Sequence, residues 1–149
     1  MNIWGYSMKN FVEISFSAKL ANVSFSRAVV TSFLMDLDLM LNELSEVKTI
    51  VSEAVTNAIV HGYNEDEEKL VFMKLELMDD EFRVTVIDKG CGISDIDKAR
   101  EPLYSSRASD DRAGLGFTIM EIFSDELTVE SIVGEGTKLT CVKKMTLTR

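Results

Sequence analysis

The chain has 149 residues, 46% apolar and 28% charged, with a formal net charge of −9. That length suits one ordinary domain with a real core, and the expectation is that it is not a multidomain histidine kinase. The acidic balance argues against a protein that grips a nucleic-acid backbone and favours a basic or mixed-charge protein partner. No apolar run approaches the ~20 residues that cross a bilayer, and no basic segment followed by an apolar one opens the chain, so the expectation is a cytoplasmic protein without membrane contact.

Residues 1–8 carry no pattern and are expected to be a disordered extension ahead of one domain over residues 9–145. Between residues 11 and 17, Val12, Ile14 and Phe16 alternate with polar residues, which predicts an edge strand buried on one face. Asn22 or Ser24 can cap a helix whose apolar set is Phe25, Ala28, Val29, Phe33 and Leu34, with Arg27 on another side. A long helix is predicted from about residue 42 to His61–Gly62, where Gly62 can take a left-handed cap.

This long helix has two faces. Val47, Val51, Ala54, Val55, Ala58 and Ile59 fall on one side, while Glu53, Asn57 and His61 recur every four residues on the other. A carboxylate one turn from a carboxamide oxygen can hold a hard divalent ion and accept a proton beside it. His61 reads as a helix-end residue rather than a catalyst. With it as the sole histidine and two cysteines fifty positions apart, a zinc cage cannot be assembled and two reduced thiols are expected. Cys91, between two glycines, reads as a small side chain filling a tight loop.

Residues 70–78 and 82–88 alternate as a hairpin joined by Asp79 and Asp80, and the second strand delivers Asp88 to its end. Asp88 could accept from the amino group of a base, with Gly90 and Gly92 letting the backbone approach a flat ring. A short helix over residues 95–101 stops at Pro102, and the polar stretch 104–113 suits a lid. Gly114 and Gly116 then open the apolar-periodic run Phe117, Ile119, Met120, Ile122 and Phe123. Free N–H groups at such a helix start attract phosphate. Two final strands, 127–133 and 138–142, join through Gly134 and Gly136, with Thr137 next. No P-loop is present.

In this order, Glu53-x-x-x-Asn57, Asp88-x-Gly90-x-Gly92, Gly114-x-Gly116 and Gly134-x-Gly136-Thr137 resemble the boxes of the GHKL ATPases, the family of gyrase, Hsp90, MutL and histidine kinases. The wording of residues 51–63 (VSEAVTNAIVHGY), 99–103 (AREPL) and 116–121 (GFTIME) is most similar to the sporulation anti-sigma factor serine kinases, and the resemblance covers about residues 9–145. It implies an α/β two-layer sandwich, a mixed, mostly antiparallel sheet with helices on one face. It also implies ATP with magnesium as cofactors, a sigma factor and an anti-anti-sigma substrate as partners, and a homodimer. Asn57 would hold the magnesium ion and Glu53 would accept the proton of the attacking serine. Asp88 would read adenine in a pocket shaped by Gly90 and Gly92 and reached by Thr137. Gly114, Gly116 and Arg112 would meet the phosphates, and Arg27 would belong to the partner surface. The departure is Asp111, where the sporulation factors carry Glu.

Three alternatives stay open at this level. Glu53 could activate water instead of serine, giving a hydrolysing ATPase. The chain could be a nucleotide-gated anti-sigma binding module without kinase activity. A histidine kinase's catalytic half is the third, although no helix pair with a phospho-accepting histidine accompanies it.

Overall fold

The computed structural model describes residues 2–3, 6–102 and 115–145. Its strands are β1 (Asn2–Ile3), β2 (Tyr6–Ser17), β3 (Leu70–Met78), β4 (Glu81–Asp88), β5 (Glu126–Ile132) and β6 (Gly136–Lys144). The helices are α1 (Asn22–Leu34), α2 (Leu41–Asn57) with a wider π-helical turn over Ala58–Gly62, α3 (Ile96–Ala99) and α4 (Leu115–Phe123). The strands form one sheet in the order β1-β2-β3-β4-β6-β5, and each pairing is antiparallel. Part of the segment expected to be a disordered extension is strand: Asn2 and Ile3 pair with Ser7 and Tyr6 at the start of β2.

Period-two alternation decides which face of the sheet is covered. In β3, Val71, Met73 and Leu75 are fully buried, while Phe72, Lys74 and Glu76 point to the other face and are half-buried. Val84 and Val86 of β4 and Leu139 and Cys141 of β6 continue the inner face. Against it lies α2, whose Val47, Val51, Ala54, Val55, Ala58 and Ile59 are all at most 2% exposed, as the apolar stripe predicts. The outer face carries interleaved charge, with Lys74 facing Glu13 and Lys138 facing Glu130, both at 3.9 Å. Pairs this exposed and this long contribute little to stability.

Two helix readings change. The buried stripe of α1 is Ser26, Val30 and Leu34, whereas Phe25 is 48% exposed and meets Phe16 edge to face, with ring centroids 6.0 Å apart. Neither Asn22 nor Ser24 caps α1: the Asn22 amide donates back to the Ser17 carbonyl at 2.9 Å, and Ser24 accepts from Arg27. The long helix does end near Gly62, but through a different device. Tyr63 N–H bonds the Ala58 carbonyl at 3.0 Å, five residues back, and Glu65 N–H bonds Ile59 at 2.9 Å. The left-handed conformation falls on Asn64 and Glu65, at φ 52° and 61°, and not on Gly62.

α4 rests on α2 through Phe117 and Met120, while Ile122, part of the predicted apolar run, is 70% exposed. Lys143 of β6 anchors the far end: its Nζ lies 2.6 Å from Glu46 of α2 and donates to the last carbonyl of α4, Phe123, at 2.8 Å. Arg100, just after α3, donates to Glu121 at 2.6 Å. Met120→Ala should therefore cost about 2–5 kcal/mol in chemical denaturation, whereas Ile122→Ala should stay within about 0.5 kcal/mol of wild type. Equal losses for the two would contradict the packing of α4.

Candidate functional site

The site begins where the end of α2 meets the end of β4. Asp88 closes β4 opposite Thr137 of β6, and the two are 4% and 6% exposed. Gly62 sits directly against the Asp88 carboxyl: a Cβ on Gly62 would lie 2.6 Å from Cγ of Asp88. A Cβ on Gly90 would fall 1.9 Å from the Gly62 carbonyl oxygen, and that same oxygen accepts from Cys91 N–H at 2.9 Å. Helix end and loop thus touch backbone to backbone, which only residues without side chains allow. Gly92 (φ 76°) and Gly136 (φ 121°) add left-handed conformations, and a Cβ on Gly136 would strike the Asp88 carbonyl at 2.1 Å.

Three hydroxyl and thiol groups hold this loop. Tyr63, buried, donates to the Leu70 carbonyl at 2.6 Å and accepts from Lys89 N–H at 2.7 Å, and burial raises its pKa. Ser131 of β5 accepts from Ile93 N–H at 2.7 Å and lies 2.8 Å from the Thr137 hydroxyl. The Cys91 thiol is exposed but donates to the His61 carbonyl at 3.1 Å, and both cysteines are free. Gly62, Tyr63 and Ser131 were not singled out from the sequence as site residues. The available signal for Ser131 was a polar residue continuing the inward period of Leu127 and Val129.

Roughly one and a half turns (Asn57) to two and a half turns (Glu53) back along the helix from Gly62 lies the second half of the site. Glu53 is 7% exposed and Asn57 half-buried, so the polar stripe is not a solvated surface. A Cβ on Gly116 would lie 3.1 Å from Oε2 of Glu53, which puts the first turn of α4 over that carboxylate. Among the described residues no cluster of three or more His, Cys, Asp or Glu could cage a metal. Glu53 and Asn57 nevertheless fit magnesium, which keeps waters and takes one or two protein oxygens beside the phosphates of a nucleotide. Arg112 and Gly114 lie outside the described residues, as does the expected lid. Arg27 is apart from these groups: it is half-buried and spans from α1 to α2, donating to Ser52 and Ser24, both at 3.0 Å.

Burial pushes the Asp88 carboxyl up to about 6, against bonds from the N–H groups of Gly90 and Thr137 that pull it down. The folded protein therefore holds this proton more tightly than the unfolded chain. The protonated group favours the fold below pH ~4, and that contribution is lost as pH rises through about 6. A displacement from 3.8 to about 6 corresponds to roughly 3 kcal/mol at neutral pH. Asp88→Asn, which keeps an acceptor for Gly90, should raise the melting temperature at pH 7 and flatten the stability profile between pH ~4 and ~6. A variant less stable than wild type at pH 7 would show that ionised Asp88 is not the strained group.

The profile of the histidine kinase-like ATPase domain matches residues 16–143. The anti-sigma F factor of Geobacillus thermodenitrificans (strain NG80-2) is 49% identical over 130 residues, covering 87% of this chain and 89% of that protein. That of Clostridium perfringens (strain SM101) is 47% identical over 138 residues, covering 93% of this chain and 99% of the other. Among solved structures, the RsbU and RsbW domains of Rv1364c from Mycobacterium tuberculosis share the fold, with a TM-score of 0.67 and 19% identity over 92% of this chain and 33% of that one. A match running through both halves of the site, together with relatives this similar along nearly their whole length, means that the chain belongs to the histidine kinase-like ATPase family, with the anti-sigma F factors.

Proposed function

We propose that the chain captures a sporulation-type sigma factor and uses ATP with magnesium to phosphorylate a serine of an anti-anti-sigma protein, acting in the cytoplasm as a homodimer. The observation that carries the kinase reading is the buried Glu53 carboxylate beneath the first turn of α4. A binding module needs a nucleotide pocket but no buried carboxylate at the phosphate end of it.

In this reading Asp88 accepts from the adenine amino group, in a pocket narrowed by Gly90 and Gly92 and flanked by Thr137. The N–H groups in the first turn of α4, Gly116 among them, would take the phosphates, and Gly114 and Arg112 would join them. Asn57 would hold magnesium, which neutralises charge on the phosphates when bound. Glu53 accepts the proton of the incoming serine hydroxyl as that oxygen bonds the terminal phosphorus and the bond to the ADP oxygen breaks. Water in place of serine would give hydrolysis, so the protein substrate must exclude it from Glu53.

Glu53→Gln keeps the shape of the side chain and removes the base. Single-turnover transfer of labelled phosphate to the anti-anti-sigma protein should fall roughly 10²- to 10⁴-fold, towards the smaller end because a loose transition state asks little of a base. ATP binding and sigma capture should survive. A transfer rate within about threefold of wild type would remove the base role from Glu53.

Arg27→Ala should weaken sigma capture by at least ~1 kcal/mol if Arg27 is an interface hot spot, and leave ATP affinity unchanged. Its bond to Ser52 ties it to α2, while the bond to Ser24 stays within α1, so the variant's melting temperature is read beside the pull-down. Full sigma retention would place the interface elsewhere.

A further inference from the structure

Tyr63 follows the wide turn that ends the long helix. Its N–H closes that turn on the Ala58 carbonyl at 3.0 Å, and its ring lies in the core. Its hydroxyl donates to the Leu70 carbonyl at 2.6 Å and accepts from Lys89 N–H at 2.7 Å. The last register pair of the β3–β4 hairpin is Phe72 with Ile87, so two residues further along each strand Leu70 falls opposite Lys89. In a continued antiparallel ladder, residues opposed in this way would bond N–H to C=O directly. The phenol oxygen stands between them instead.

A bridging hydroxyl keeps two groups further apart than the roughly 2.9 Å of a direct bond. β4 therefore leaves β3 at Asp88 while it stays paired with β6, where Asp88 is opposite Thr137. The peptide joining Asp88 to Lys89 is held on both sides. Tyr63 takes its N–H, and its carbonyl packs on the Gly136 backbone, where a Cβ would come within 2.1 Å of the oxygen. Asp88 in turn folds over the next amide, its Oδ1 accepting from Gly90 N–H at 3.0 Å. Rotating the Asp88–Lys89 peptide would swing this carboxyl and Gly90 together, so whatever holds the peptide aims the carboxyl.

We propose that Tyr63 is a positioning residue for base recognition: its hydroxyl parts β3 from β4 and pins the Lys89 amide, which aims the Asp88 carboxylate at the amino group of the bound base. The inference rests on the reading of Asp88 as the adenine acceptor. Tyr63→Phe would keep the ring in the core and release both backbone groups. The carboxylate would then lose its aim while Gly90, Gly92 and Thr137 still border the pocket.

The test is calorimetric titration of the full chain at about pH 8, above the raised pKa of Asp88, with ATP and with purine riboside triphosphate, which is ATP without the amino group. Wild type should bind the analogue roughly 10- to 100-fold more weakly, the scale of one hydrogen bond to a charged group. Tyr63→Phe should lower ATP affinity by at least about threefold and leave the analogue within about twofold of its wild-type affinity, which narrows the ratio. A merely structural role would weaken both nucleotides together and preserve the ratio, which would overturn the proposal, as would a variant that binds both like wild type. Equal binding of the two nucleotides by wild type would remove Asp88 as the amino acceptor, and the proposal with it. If Tyr63→Phe does not fold, hydrogen exchange of the Lys89 amide in wild type decides the question. Because coupling is reciprocal, saturating adenosine should slow that exchange at least about threefold more than saturating purine riboside does. Equal protection by the two would overturn the role of Tyr63 even where wild type distinguishes the two triphosphates.

Discussion

The contact on which the site depends is the one between the Gly62 carbonyl and the loop after β4. The central helix and the central strand converge there with no side chain between them: Gly62 lies against the Asp88 carboxyl, and Gly90 lies against Gly62. The Gly62 carbonyl still finds a partner, in Cys91 N–H at 2.9 Å, because the helix widens to a π-turn before it ends. π-Turns inside helices recur at functional positions. Here the wider turn ends the helix against the strand, so Asp88 is walled on one side by the Gly62 backbone and its carboxyl is buried.

That arrangement sets stability against chemistry. Asp88 is a carboxyl that the fold removes from water, at 4% exposure, and burying an ionised group without full compensation is unfavourable. The valine-rich face of α2, packed on the sheet, offsets this. Val47, Val51 and Val55 are fully buried, and each contributes about 1.5–3 kcal/mol relative to exposure. Active sites commonly retain such strain, and substitutions that relieve it tend to cost function.

Much of this was legible in the sequence because periodicity reports burial. The six apolar positions of α2 are all buried, the 70–78 and 82–88 hairpin forms with Asp79 in the left-handed region at φ 47°, and Asp88 ends its strand. What escaped depended on contacts between distant segments. Gly62 followed a helix and read as a cap, yet its use is space against residues 88 and 90, which helix-local reasoning does not see. Val30 was passed over for Phe25 because α1's orientation is decided by the sheet and α2 rather than by its own pattern. Ser131 and Tyr63 act through hydroxyls aimed at loop N–H groups, and spacing along the chain carries no record of such partners.

The central claim is that one nucleotide spans from Asp88 to the first turn of α4. Amide chemical shifts of isotope-labelled protein test it most directly, titrated first with adenosine and then with ATP and magnesium. The account predicts that adenosine shifts the amides of Gly90 and Thr137 and leaves Gly116 in place, and that ATP with magnesium shifts all three. Shifts confined to α1 and β2 with ATP, or a Gly116 response to adenosine without one at Thr137, would contradict it.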